Sequence, residues 1–478
     1  MNSNTTINNM SMLKSNDAIL NGSQSFMFQY AALAATLAAL DSDSDDEDND
    51  GPKPKRQRRM KSRFTREDQA DSVFSVLYLK PFDDHRNENN NENNNKNNNE
   101  NDNVIDLMDN TNDKAIAFRS DFRVPYVEFV SMCDYFQERN KKMDATGCPG
   151  VDCRLLVLSS LRLLAWGPPL KSLEELTCVH RETHRQFFLN QFLSWGCRLA
   201  RDNIYLPRDD TEYAAVESVY RKKGLPGCVG SIDCVHVQWD RCPSGFKGEC
   251  KGKDSKPTLA FEVVCAHNGR VQSVSTYNPG ANNDKTIAQN DEAVHQVRNN
   301  NTFLSNKTFE TRCNDGTMRT HLGSYYICDG GYCNWTLLIP PFKDQIETSQ
   351  YYGWSKHVEG LRKDIECVFG KLKKRFLAIK NPIRFANPHD IERMFLTCCA
   401  VHNALLAYDN PNDDDVFESD DTRDENDEET EIEEDTADGS NGSSTAIRFS
   451  TDRDFHDRRI ALVNHYNISV AQRTLDLD

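Results

Sequence analysis

The sequence predicts an α/β fold in which helices cover a mixed sheet, preceded by a small helical region. The first observation is a leucine-rich segment, "DCRLLVLSSLRLLAW", whose apolar residues recur at helical spacing until Gly167-Pro168-Pro169 stops them. The second is a change near residue 226 to short apolar runs rich in β-branched residues. The third is that both ends of the chain are too polar to form a packed core. The folded part is therefore expected in the middle of the chain.

Residues 121–225 are predicted to be helical and to contain a helix-turn-helix-like pair. Ser172 has the spacing of a capping box that would start a short helix. The next segment, "HRETHRQFFLNQFLSWG", would place Arg181, Arg185 and His184 on one polar face. Arg181 and Arg185 are therefore candidate DNA contacts, although an ordinary helical domain would show the same spacing.

Residues 226–408 alternate between strand and helix patterns. "GCVGSIDCVHVQW" predicts a buried strand, and two more strands flank the hairpin signal Asn268-Gly269. "SYYICD" and "TLLIP" predict a fourth and a fifth strand. Helices are predicted at "NDKTIAQNDEAVHQV", at 356–377 and at "DIERMFLTCCAVHNALLAY". This order indicates a mixed sheet with helices on its faces.

Low-complexity sequence marks both ends of the chain. Residues 1–120 contain the acidic run "DSDSDDEDND" and an asparagine tract, and we expect this region to be disordered. Residues 409–447 form an acidic tail with the same expectation, and 448–478 form a C-terminal segment. The tail accounts for most of the net charge of −17. The overall acidity therefore does not exclude a nucleic-acid partner.

A basic cluster, "PKPKRQRRMKSR" at 52–63, interrupts the polar N-terminal region. Such a cluster is typical of a nuclear import signal, so we expect the protein in the nucleus. An unstructured nucleic-acid contact and plain solvated charge are the alternatives.

The cysteines and the apolar stretches indicate a reducing compartment without a membrane partner. The sixteen cysteines are scattered and include no C-x-x-C pair, which favours free thiols over disulfides or zinc. The stretch "FMFQYAALAATLAAL" is shorter than the roughly 20 residues of a membrane span.

Three carboxylates occupy positions that the sequence predicts to be at least partly buried, where a negative charge needs a nearby cation. Asp233 lies in the middle of the first predicted strand, and Asp329 ends the fourth, directly before Gly330-Gly331. Glu366 lies on the shoulder of an apolar helix stripe, one turn after Arg362. Taken singly, the aspartates could serve as caps or turn residues, and Glu366 as an ion-pair partner of Arg362. Taken together, three hard oxygen donors suit Mg²⁺ or Mn²⁺, and two such ions can promote phosphodiester cleavage.

A run of basic residues follows Glu366 on the same predicted helix. These side chains would bind phosphate beside the carboxylates, or form a solvated helix end favoured by the helix dipole. The residues are Lys371, Lys373, Lys374 and Arg375.

Six motifs in order resemble those of PIF/Harbinger-type transposases, and more closely the branch called plant transposon protein. They are "GSIDCVHVQWDRCP", "TLAFEVVCAHNGRV", "NPGANNDKTI", "YYICDGGY", "LRKDIECVFGKLKKRF" and "CCAVHNALL". The resemblance implies an RNase H-like fold and a D-D-E triad formed by Asp233, Asp329 and Glu366. It also implies two divalent cations, Mg²⁺ or Mn²⁺, and a separate Myb-like DNA-binding partner protein. Asp284 matches a further acidic position near the metals, although an N-cap role would explain it nearly as well.

The function expected from these features is that of a DDE-type transposase or endonuclease. It would cleave, and join, double-stranded DNA by two-metal-ion chemistry as a homo-oligomer in the nucleus. The alternative is a domesticated, transposase-derived DNA-binding or chromatin protein without catalysis.

Overall fold

The computed structural model describes six stretches of the chain and one further residue, all within the unit Ser62–Asp478. The basic cluster, the asparagine tract and the acidic tail beyond residue 409 lie outside the described residues. The described parts are 64–80, 113–139, 150–252, 255–343, 345–409, 452–472 and residue 475.

Part of the region predicted to be disordered is folded. Helix α1 (Arg66–Ala70), a π-helical turn (Ser75–Leu79) and the first eight residues of helix α2 (Asp113–Phe122) fall within residues 1–120. Phe74 packs edge-to-face on Phe122, and both rings are buried in the largest hydrophobic cluster. The prediction of disorder is therefore wrong for these segments, because the low-complexity tracts on either side concealed their aromatic residues.

The helical region packs around a long central helix. Helix α4 begins at its N-cap Asp152 and ends at Gly167, whose φ of 63° is the left-handed conformation that glycine adopts easily. Arg162 of α4 and Tyr78 both donate hydrogen bonds to Asp121, at 2.7 and 2.6 Å, and so tie α4 to the N-terminal helices. The helices of this region are α3 (Tyr126–Arg139), α4 (Cys153–Trp166), α5 (Leu170–Thr177), α6 (Arg181–Phe187), α7 (Leu193–Asn203) and α8 (Asp210–Lys222).

Helices α5 and α6 are joined by a three-residue link, and the structure differs from the prediction in two details. Helix α5 begins at Leu170, with Pro169 as its N-cap, and not at Ser172. His184 is buried, and its Nε2 lies 2.8 Å from the Thr177 hydroxyl of α5. Burial lowers the pKa of His184 to about 4, so this histidine is a neutral core residue and not part of a polar face.

A mixed sheet follows, with its longest strand at the centre. Strand β1 pairs antiparallel with β2 and parallel with β7, and the order is β3-β2-β1-β7-β8, with β4 also paired to β2. In this register Asp233 lies opposite Val263, and Cys234 lies opposite Glu262. The strands are β1 (Cys228–Gln238), β2 (Thr258–Cys265), β3 (Val271–Val274), β4 (Asn278–Pro279), β7 (Tyr325–Ile327) and β8 (Leu338–Ile339).

Helices cover both faces of the sheet, as the sequence predicts. One face packs on α11 (Tyr352–Arg375) and α13 (Pro388–Leu405), with α12 (Leu377–Lys380) between them. The other face packs on α9 (Asp284–Ala288) and α10 (Glu292–Arg298), where the sequence indicated one helix. Asp291 divides this segment because its side chain caps α10. Among the described helices, none is long and apolar enough to cross a bilayer.

Two elements were not expected from the sequence. A separate hairpin, β5 (Thr308–Arg312) and β6 (Met318–Leu322), precedes β7. Helix α14 (Phe455–Ala471) packs against β5 and α11.

A buried cation fixes the C-terminal end of α11. The side chain of Arg375 is 3% exposed, and its Nη2 contacts both carboxylate oxygens of Asp409 at 2.7–2.8 Å. Its Nη1 lies 3.1 Å from His402 Nδ1, so that nitrogen accepts and His402 Nε2 donates to the Gly269 carbonyl. Arg119 of α2 also contacts Asp409, at 3.0 Å. The end of α11 is thus joined to α13, to α2 and to the β2–β3 turn.

Replacing Arg375 with methionine should destabilise the protein by about 3 kcal/mol, because Asp409 would lose its buried partner. The matched control is Lys374→Met, since Lys374 is the exposed neighbour and its loss should shift stability by no more than about 0.5 kcal/mol. Urea unfolding followed by tryptophan fluorescence measures both. Equal midpoints for the two variants would show that the buried contacts contribute nothing.

Candidate active site

Asp233 is the most deeply placed of the predicted catalytic residues. It lies in the central strand β1, and its side chain is 20% exposed. The Cys234 N–H donates to its Oδ1 at 2.8 Å, and Arg362 Nη1 lies 3.4 Å from its Oδ2. A carboxylate in this position carries charge at the edge of the apolar core.

The pKa of Asp233 is raised by its surroundings. This pKa is raised to about 7, chiefly by burial and also by the negative charges of Asp329 and Asp284, against the opposing effect of the Cys234 N–H and Arg362. The structure thus brings three carboxylates from β1, α9 and the turn after β7 into one electrostatic neighbourhood.

Asp329 and Asp284 meet across a glycine. The Gly331 N–H donates to Asp329 Oδ1 at 2.7 Å, which closes the turn that follows β7. A Cβ at position 331 would lie 3.0 Å from Asp329 Oδ1 and 3.1 Å from Asp284 Oδ2. A side chain at position 331 would therefore press on both carboxylates, which glycine leaves undisturbed.

Asp284 is not the cap of its helix. Asn283 is the N-cap of α9, and its side chain accepts from the Thr286 N–H at 2.9 Å. The capping explanation for Asp284 is therefore wrong, and its carboxylate lies instead beside Asp329 across Gly331.

Glu366 lies on α11 and is more exposed than the sequence suggested. Its side chain is 46% exposed, and Arg362 Nη2 lies 2.8 Å from its Oε1. The ion pair that was the simple alternative for Glu366 is thus present. The same guanidinium reaches Asp233, so Arg362 connects two of the three predicted triad members.

The donor set at this site fits a hard divalent cation, although the carboxylates are not fully gathered. Carboxylate oxygens from Asp233, Asp284 and Asp329 are the ligands that Mg²⁺ and Mn²⁺ prefer, and Gly331 leaves open the space between two of them. Within the described ranges, no three His, Cys, Asp or Glu side chains lie close enough together to hold an ion as they stand. The carboxylate of Glu366 is instead paired with Arg362.

The predicted DNA contacts differ in their accessibility. Lys371 and Lys374 are exposed, and Lys373 is half-buried on the same helix. Arg375 is buried in ion pairs, so the expectation that it contacts phosphate is corrected. Periodicity could not show this, because the partner Asp409 lies 34 residues further along the chain.

The two arginines predicted on the helix-turn-helix-like pair are both exposed. Arg181 is the first residue of α6, and Arg185 contacts Glu182 on the same helix at 2.6 Å. Their contact with DNA stays a prediction.

The structure reveals two charged residues that the sequence reasoning missed. Glu262 is fully buried on β2, and burial, with the charge of nearby Asp291, raises its pKa well above the usual value. A glutamate inside the apolar run "TLAFEVVC" was the available signal. Lys343 packs beside the Asp329 turn, since a Cβ on Gly330 would meet its Cε at 2.4 Å. No local pattern distinguished this lysine from other surface lysines.

The chain resembles a family of transposon proteins. Residues 204–413 match the family model described as plant transposon protein. The resemblance to Harbinger-type transposases is thereby confirmed.

Two curated relatives illustrate the similarity. The chain is 24% identical over 209 residues to "Putative nuclease HARBI1" of Bos taurus, covering 43% of this chain and 54% of that protein. It is 21% identical over 306 residues to "Protein ALP1-like" of Arabidopsis thaliana, covering 62% of this chain and 72% of that protein. The chain thus spans about half the length of the nuclease-named relative. No solved structure matches the chain.

Replacing Asp233 with asparagine should change how stability depends on pH in chelator. The pKa of Asp233 is about 7 in the folded protein and about 3.9 in an unfolded chain. The protonated carboxyl therefore contributes stability that is complete below about pH 4 and is lost as the pH rises through about 7. Relative to wild type, the asparagine variant should gain on the order of 1 kcal/mol per pH unit across this window.

Denaturation midpoints measured between pH 5 and 8 test this expectation. Glu359→Gln is the control, because Glu359 is an exposed carboxylate on α11. If the wild-type and Asp233→Asn midpoints ran parallel with pH, the acidic neighbourhood of Asp233 would have no energetic effect.

Proposed function

We propose that this protein is a metal-dependent, DDE-type endonuclease that cleaves double-stranded DNA. The observation that carries the proposal is the pair of carboxylates Asp284 and Asp329 beside Gly331, whose negative charges also act on Asp233 in the central strand. The name of the nuclease relative and the family of the matched region support the same chemistry. The strand order, three antiparallel strands continued by two parallel ones, supports an RNase H-like assignment.

The metal ligands in this proposal are Asp233, Asp329 and Glu366, with Asp284 alongside. Two Mg²⁺ or Mn²⁺ ions held there would activate the attacking water and stabilise the leaving oxygen of the phosphodiester. In this proposal a strand, a turn and a helix each contribute an oxygen donor, and the ion would draw these donors together. Burial of Asp233 keeps bulk water from screening the charges on that side.

The surface beside these carboxylates suits a DNA backbone. Lys371 and Lys374 are exposed, and Lys373 is half-buried on the helix that carries Glu366. Lys343 lies beside the turn that carries Asp329. Lysines in these positions would hold phosphates without reading the base sequence.

A transposase-derived DNA-binding protein without catalysis is the second candidate. The ion pair between Arg362 and Glu366 favours it, because this contact already occupies the carboxylate of the third predicted ligand. The two candidates differ in whether purified protein cleaves DNA when a divalent cation is supplied.

Several wider properties complete the proposal. Joining of DNA ends, homo-oligomerisation and a Myb-like DNA-binding partner would accompany a transposase. The basic cluster at 52–63 would direct the protein to the nucleus, and it lies outside the described residues.

Nicking of supercoiled plasmid in Mg²⁺ tests the catalytic proposal. Asp233→Asn, Asp329→Asn and Glu366→Gln should each lower the rate at least about a hundredfold, since each removes a direct metal ligand. Chelator should abolish nicking by the wild type. Glu359→Gln provides the control, because it removes an exposed carboxylate from the same helix. Undiminished nicking by Glu366→Gln would leave Glu366 with no role beyond its ion pair.

Binding of duplex DNA across a salt series tests the lysine surface. Each phosphate contact adds about 0.9 to the slope of log affinity against log salt, so neutralising Lys371 and Lys374 with glutamine should lower the slope by about 2. The control is the double glutamine variant at Lys80 and Lys222, which are exposed and lie on other elements. Identical slopes for wild type and the Lys371 and Lys374 variant would exclude these two lysines from the DNA path.

A further inference from the structure

Arg362 occupies an unusual position between two predicted metal ligands. Its side chain is 18% exposed, and its two terminal nitrogens face different carboxylates. Nη2 lies 2.8 Å from Glu366 Oε1, four residues along α11, and Nη1 lies 3.4 Å from Asp233 Oδ2 on β1. The planar fork of a guanidinium allows one residue to serve two acceptors in this way.

The charges around Arg362 explain why a cation belongs there. Asp233 is buried beside Asp284 and Asp329, and these like charges disfavour its ionised form. The guanidinium contacts the carboxylates of both Asp233 and Glu366, and its positive charge compensates their negative charges. A divalent cation bound by the same two carboxylates would need those oxygen atoms for itself, and would be repelled by the guanidinium.

We propose that Arg362 is a built-in counter-cation that holds Asp233 and Glu366 in the metal-free protein and must leave Asp233 when a divalent ion binds. This inference rests on the proposed metal site and adds its regulation. Metal affinity is then lowered by the free energy of the Arg362 contacts, because the ion and the guanidinium compete for the same oxygens. The competition keeps the acidic site neutralised when metal is scarce.

Direct measurement of Mn²⁺ binding by full-length protein tests the competition. Free Mn²⁺ is followed by its electron paramagnetic resonance signal during titration, without DNA. Arg362→Met should bind Mn²⁺ roughly tenfold more tightly than wild type, since a positive charge a few ångströms from the ion is removed. Lys363→Met removes one charge from the neighbouring exposed residue and should stay within about twofold of wild type. Asp233→Asn should bind far more weakly, which assigns the ion to this site.

Thermal unfolding provides a second readout that does not depend on activity. Without metal, Arg362→Met should melt below wild type, because Asp233 and Glu366 lose their shared partner. Saturating Mn²⁺ should raise its melting temperature more than that of wild type. Arg362→Lys, which keeps the charge but lacks the fork, should bind Mn²⁺ with intermediate affinity. This variant retains a folded site if the methionine variant does not.

The outcomes separate this inference from the proposed function. Equal or weaker Mn²⁺ binding by both Arg362 variants, with wild-type binding that depends on Asp233, would overturn the counter-cation role and leave the metal site standing. Absence of Mn²⁺ binding by wild type and by both Arg362 variants would overturn both proposals. Binding by Arg362→Met alone would be the clearest support for competition.

Discussion

The free-energy cost of burying the Asp233 carboxylate in the central strand explains the arrangement of the charged residues around it. A buried carboxylate near two other acids is tolerated only if its charge is compensated or neutralised. The structure supplies one cation, Arg362 from α11, and a raised pKa that favours the protonated form. The turn at Gly331 brings two further carboxylates, Asp284 and Asp329, close to each other. Such a concentration of charge weakens the fold, and a function that needs charge at that point explains it best.

Helix α11 is the element on which this arrangement depends. Its apolar residues Ile365, Val368 and Leu372 pack in the largest core cluster, which fixes the helix against the face of the sheet that carries Asp233. Its C-terminal end is held by Arg375 through contacts to α13 and to Asp409. Arg362 and Glu366 lie on this helix, N-terminal to Arg375. The helix that carries both charged side chains is therefore held by apolar packing and by the buried ion pair at its C-terminal end.

The sequence was sufficient for features that depend on neighbouring residues. The strand around Asp233, the glycine turn after Asp329 and the pairing of Arg362 with Glu366 all follow from local spacing. Features that depend on partners distant in the sequence could not be predicted from local spacing. The burial of Arg375 requires Asp409, and the folding of residues 64–80 requires aromatic residues of α2 beyond the asparagine tract. His184 was misplaced because helical spacing does not show which face meets Thr177.

The folded part of the chain extends beyond the matched region 204–413, and the carboxylate of Asp409 connects the two parts. Composition assigned this residue to the start of the acidic tail, yet it joins Arg119 of α2 to Arg375 at the end of α11. The N-terminal helices and the site helix are therefore mechanically linked through one side chain. Displacement of α2 would remove one of the two cations that contact Asp409, and so weaken the support of the helix that carries Glu366. A helix outside the matched region thus helps to hold a helix inside it.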